Sequence, residues 1–153
     1  MSALKDQLRD DLNTALKARD ALRTSVIRMV LAAITKAEVA GKEARELSDD
    51  EVLDVLTSEA KKRRESASAF DEGNRPEMAA KEREEAKILA EYLPAALTDD
   101  EVAAIITDAI AKTGAATEGM KAMGKVMGIV TAATKGRADG SAVAAEVKRQ
   151  LGA

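Results

Sequence analysis

The sequence predicts an all-α fold: an N-terminal bundle of about four helices (residues 1–94) joined to a small three-helix C-terminal module (residues 95–153). Three observations predict it. The strong helix formers Ala, Leu, Glu, Lys and Arg dominate the 153 residues. Apolar side chains recur every three or four positions, the period of a helix face. No run of alternating β-branched residues reads as a strand. Phe70 and Tyr92 are the only aromatics, so the interior has to be assembled from Leu, Ile, Val, Met and Ala. A chain of this length hides roughly 70% of its unfolded surface, enough to form a core without a disulfide or metal staple.

Each element has its own signature. Leu4, Leu8, Leu12 and Leu16 recur every fourth residue and mark one face of a first helix. A joint at Ala18-Arg19-Asp20 precedes a second helix through Leu22, Val26, Met29, Val30, Ala33, Ile34 and Ala37, expected to end near Gly41. Ser48-Asp49-Asp50-Glu51 is a capping box: the hydroxyl takes a backbone N–H that the helix cannot satisfy, and the Glu reaches back. It opens a third helix that runs to about Phe70. A turn at Asp71–Asn74 follows, and Pro76 occupies a first helical turn where its missing N–H costs nothing. That fourth helix carries Met78, Glu85, Ile88, Leu89 and Tyr92 and stops at Pro94. Thr98-Asp99-Asp100-Glu101 repeats the capping pattern before Val102, Ile105, Ile106, Ala109 and Ile110. After a break at Gly114–Thr117, the stripe Met120, Met123, Met127 and Val130 is expected to face a core, with Gly124 and Gly128 letting another helix approach closely. Gly136 closes that helix, and Asp139 suits the N-cap of a last one carrying Val143, Val147 and Leu151.

Composition removes several classes of chemistry. There is no Cys and no His, so disulfides, thiol catalysis, the commonest general base and the commonest soft metal ligand are all missing. The N-terminal residues lack the uncharged apolar stretch of a signal peptide, and no segment has the ~18 consecutive apolar residues of a membrane span. A cytosolic location and no membrane partner are the expectation. Net charge is −3, against a strongly basic nucleic-acid binder. Its distribution is uneven: residues 119–153 hold six basic residues against only Asp139 and Glu146. An anionic partner is therefore expected in the last third.

Gly119–Val126 nearly spells a phosphate-cradling loop, but Val126 stands where a Mg²⁺-binding hydroxyl is required and no strand precedes the glycines. The acidic runs at 49–51 and 99–101 are explained by capping and the helix dipole. No catalytic residue, cofactor or metal site is expected. Lys61-Lys62-Arg63-Arg64 wraps most of a helical turn; it reads first as a solvated face paired with local carboxylates and second as a basic patch for phosphates. The corner Thr134–Gly140 is expected to present Lys135 and Arg137 outward. There they either offset a helix C-terminal dipole or form an anion-recognition corner. Lys121, Lys125, Lys135, Arg137 and Lys148 are the candidate contacts to RNA.

Met123-Gly124-Lys125-Val126-Met127-Gly128, then Lys135-Gly136-Arg137-Ala138-Asp139-Gly140 and a final Val-x-x-x-Val-Lys-x-x-Leu, resemble the tail of the GatB/YqeY family. Arg28–Ile34, Glu59–Ser66 and Glu91-Tyr92-Leu93-Pro94 are similar to the free-standing YqeY proteins, so the resemblance covers essentially the whole chain. It implies a helical N-terminal module with a three-helix tail, and a tail of the kind that ends the B subunit of the glutamyl/aspartyl-tRNA amidotransferase. In that enzyme the tail is associated with holding tRNA while other domains do the chemistry. Carbon–nitrogen ligation with glutamine as amido-N donor thus describes the larger complex, and the isolated chain is expected to lack it. Three roles follow: a module binding tRNA or another structured RNA, a helical adaptor for another protein, or an accessory subunit of an amidotransferase.

Overall fold

The computed structural model describes residues 2–152. These form seven α-helices and two short 3₁₀ turns, with no strand among the described residues. The chain divides into two compact units, residues 1–93 and residues 94–153. No helix among the described residues is long and apolar enough to cross a membrane.

The first unit contains α1 (Ala3–Lys17), α2 (Ala21–Glu38), α3 (Asp49–Glu72) and α4 (Pro76–Ala90). Leu8 from α1, Val26, Ile27, Val30 and Ile34 from α2, Val52 and Leu56 from α3, and Leu89 from α4 are essentially inaccessible and form one core. Leu4 and Leu12 line its edge, while Leu16, at the far end of the α1 stripe, is 43% exposed. The capping box at Ser48 forms in both directions, with Ser48 Oγ accepting from the Glu51 amide and the Glu51 carboxylate accepting from the Ser48 amide. The α1–α2 joint places Arg19 in the left-handed region at φ 56°, and Asn74 does the same between α3 and α4 at φ 58°.

The second helix ends at Glu38 rather than near Gly41. The reason lies in the Glu38 side chain, which turns inward to accept from Lys5 Nζ at 2.6 Å and from the Leu47 amide at 3.1 Å. Its own carbonyl accepts from the Arg45 amide at 3.0 Å. The chain therefore leaves the helix early and folds the 39–48 loop back over it. Arg45 fastens the loop to α3 with a two-pronged pair to the Glu51 carboxylate, the geometry in which guanidinium and carboxylate interact best. Arg45 and the Ser48 amide together hold the Glu51 carboxyl far below its ordinary range, at about 2.

The second unit holds α5 (Asp99–Thr113), 3₁₀ turns at Ala115–Thr117 and Gly119–Ala122, α6 (Met123–Thr134) and α7 (Gly140–Gln150). Val102, Ile106, Ala109 and Ile110 of α5 meet Val126 and Val130 of α6 and Val143 and Val147 of α7. Gly114, the left-handed residue after α5, and Gly136, at φ 72° after α6, permit the two sharp reversals.

Two expectations for α6 are corrected. Its inward face is Ala122, Val126, Val130 and Thr134; of the expected stripe, Val130 is buried, Met123 and Met127 are partly buried against the core, and Met120, 44% exposed, falls outside it. Gly124 and Gly128 do not serve close helix packing, because a Cβ built on either would meet nothing within 4 Å. The physical cause is a phase difference. With 3.6 residues per turn, a core stripe anchored on Val126 and Val130 leaves Gly128 and Ala132 on the opposite side of the helix.

Candidate functional site

The five candidate cations of the second unit are not one patch. Lys121 sits in the turn before α6, Lys125 in the first turn of α6, and Lys148 in the last turn of α7. Gly119, at φ 60°, lies against the carbonyl of Leu151, a Cβ there being 4.0 Å away, so the 119–122 turn is seated beside the end of α7. Lys121, Lys125 and Lys148 are thereby brought toward one end of the unit, and all three are exposed. Lys135 and Arg137 occupy the other end of α6, ten residues or about 15 Å of helical rise from Lys125.

The corner at 134–140 forms as a tight reversal. The Thr134 carbonyl accepts from the amides of Arg137 and Ala138 at 2.9 and 3.2 Å. Arg137 is half-buried: its Nε donates to the Ala95 carbonyl at 3.1 Å, and its own carbonyl accepts from the Leu97 amide at 2.7 Å. It clasps the segment leading into α5, so its guanidinium supports the module internally. Lys135 is exposed and engages within the protein. Asp139 stands at the N-cap of α7 but makes no capping bond with its side chain.

Between these ends runs a bare helix surface. Gly124, Lys125, Gly128, Thr131 and Ala132 are all exposed, with Ile129 at 44%. No Asp or Glu occurs from residue 119 to residue 138; Glu118, 3.6 Å from Lys125 in an exposed pair, is the nearest before it. Glycine inside a helix costs about 0.5–1 kcal/mol relative to alanine, and the module's own packing gains nothing from either glycine. Sequence reasoning assigned the lysines but missed the small residues between them as surface. The usable signal was the absence of carboxylates combined with the spacing of Val126, Val130 and Thr134.

The basic run of the first unit is arranged differently. Lys62 pairs with the buried Glu59 at 3.1 Å, Lys61 lies 4.0 Å from Glu65, and Arg63 sits 3.5 and 3.6 Å from Glu82 and Glu85 of α4. Arg64 is exposed. The Arg63 Nε and Glu82 Oε2 are buried without a hydrogen-bond partner, so this α3–α4 contact is held by charge attraction at a short distance rather than by a formed fork. No group of three acidic, His or Cys side chains among the described residues is arranged to hold a metal ion.

Fold and surface define a helical protein whose smaller unit offers a carboxylate-free helix face ended by lysines. The chain belongs to the YqeY-like protein family, whose model matches residues 5–151. It is similar to "Altered inheritance of mitochondria protein 41, mitochondrial" of Kluyveromyces lactis, 35% identical over 107 residues that cover 66% of this chain and 57% of that protein. The protein of the same name from Meyerozyma guilliermondii is 33% identical over 91 residues (60% and 47%), and that from Candida glabrata 28% over 86 residues (56% and 47%). The matches span about half the length of these relatives. They overturn the expectation of a cytosolic location, since each relative is named a mitochondrial protein. That expectation rested on an N-terminus without a secretory signal, a feature that does not distinguish between compartments.

Proposed function

We propose that the chain is an RNA-holding module that lays a structured RNA, of the tRNA class, along the outer face of α6. The observation that supports this reading is the bare outer face of α6: exposed small side chains, no carboxylate from residue 119 to residue 138, and the exposed Lys125 at its start. Phosphate contacts need only charge and access, and Gly124 and Gly128 give a phosphodiester backbone the closest approach a helix allows. Lys121 and Lys148 widen the cationic end. No aromatic stands in this unit to stack on bases, so recognition runs through shape and backbone. The likeness of residues 123–140 to the amidotransferase tail supports the same reading and makes association with such an enzyme the accompanying alternative. The adaptor role gains less, because Leu4, Leu8 and Leu12 of the α1 stripe pack in or against the core and Leu16 alone of that stripe is exposed.

The test is the affinity of the protein for bulk tRNA at two salt concentrations. Three or four phosphate contacts give log affinity falling with log salt at a slope of roughly −2 to −4. Lys121→Glu with Lys125→Glu should abolish that binding while the helical circular-dichroism spectrum is kept. Arg137 is the wrong position to reverse, since its loss disturbs the 95–97 segment. No binding at low salt would remove the RNA reading and favour a protein partner.

A further inference from the structure

The second unit has a concave surface elsewhere, lined by none of the residues of α6. A cleft of about 470 Å³ opens between the start of α5 and α7, with Leu97, Val102, Ala103, Ala138 and Val143 as its apolar floor and the exposed Ala142 at its mouth. Its rim is acidic: Asp99, Asp100, Asp139 and Glu146 stand around it, with Arg149 as its one cation. Arg149 is already spent, its Nε and Nη2 donating to Glu146 at 2.8 and 2.6 Å. Gln150 donates to the same carboxylate at 3.0 Å, and the two donors hold the Glu146 carboxyl near 2. The other three carboxylates are exposed, and Asp139 makes no cap bond to the helix it begins.

We propose that this cleft docks a basic peptide segment of a partner protein, one that places a branched apolar side chain between lysines or arginines. The floor selects the apolar group, since Val102 and Val143 are largely covered but Leu97, Ala103 and Ala138 still show surface to the cleft. The rim selects the sign of the flanking charges. The volume lies in the lower part of the range for ligand pockets, which suits one or two anchoring side chains. This site does not depend on the RNA reading. Should both hold, the module carries an anion on one helix and a cationic chain between the other two.

The experiment is an NMR titration of the full ¹⁵N-labelled chain with the probe acetyl-Lys-Arg-Leu-Leu-Arg-Lys-amide. Controls are the same peptide with glycines for the leucines, and spermine. Amide shifts should concentrate at residues 97–103 and 138–149, and the glycine peptide should bind at least about tenfold more weakly. Asp99→Asn with Asp139→Asn should weaken the leucine probe about fivefold while the rest of the spectrum is unchanged. Ala142→Arg, which puts a cation and its stem into the cleft mouth, should weaken it further. Equal binding of the glycine peptide, full displacement of the probe by an equal concentration of spermine, shifts spread over other acidic surfaces, or no shift at millimolar probe would each overturn the proposal.

Discussion

Residues 61–64 and residues 121–125 both bring cations to a helix surface, yet they differ in what stands opposite them. In the α3–α4 pair, Lys61, Lys62 and Arg63 each meet a carboxylate, and Arg63 is taken into the contact between the helices. Around α6 no carboxylate occurs from residue 119 to residue 138, and Lys125 meets Glu118 only in an exposed pair at 3.6 Å. The α3 run is the denser in cations, but three of its four are matched by a carboxylate, and surface charge counts only after its neighbours have been subtracted. A basic run in a sequence is thus a question about the facing helix.

Removing Arg63 breaks the comparison hardest. Arg63→Ala leaves Glu82 and Glu85 facing each other in a largely covered contact and should cost about 3 kcal/mol in denaturant unfolding. Lys125→Ala, at an exposed pair, should stay within about 0.5 kcal/mol. The contrast would be lost if both variants unfolded alike. Next in size, Gly124→Asp with Gly128→Asp puts carboxylates on the bare face. It should reduce tRNA affinity about tenfold or more, measured by filter binding at low salt, and leave the fold intact because both positions are open.

Acid should separate the units. Glu38, Asp49, Glu51 and Glu91 of the first unit all have carboxyls lowered by hydrogen bonds from Lys5, Ser2, Arg45 and Arg23 respectively. In the second unit Glu146 is lowered, by Arg149. A lowered folded value means stability present above the ordinary range and lost as pH falls through the folded one; for Glu51 that window runs from 4.5 down to about 2. Amide exchange followed by NMR should therefore accelerate around Glu38–Glu51 before it does in α5–α7. The smallest effect sharpens the picture of α6: Gly128→Ala should raise stability by about 0.5–1 kcal/mol, since the added methyl meets nothing.

The helices were readable because their ends are written in local chemistry. Ser48, Thr98, Pro76 and Gly136 each act within one turn of themselves, and the structure places them at helix boundaries. What escaped depends on residues far apart in the chain. The early end of α2 needs Lys5, 33 residues away, to draw Glu38 inward. The burial of Arg137 needs the Ala95 carbonyl, 42 residues distant. The methionines were placed only in part for a different reason: in α6 both Met123 and Met127 and the pair Val126 and Val130 repeat at helical spacing and all touch the core, and periodicity alone cannot say which pair is central. The α5–α7 cleft was invisible because its acidic rim is the same set of residues that helix capping already explains.

The two open glycines also bear on how α6 moves. A helix face that carries glycines in place of side chains leaves carbonyls and amides within reach of water, so its hydrogen bonds open at little cost in local free energy. The outer turns of α6 should therefore exchange their amide protons sooner than the α5 face buried beneath them. Whatever settles on that face shields the same backbone, and binding there would register first as slowed exchange in residues 124–132, before any change of shape.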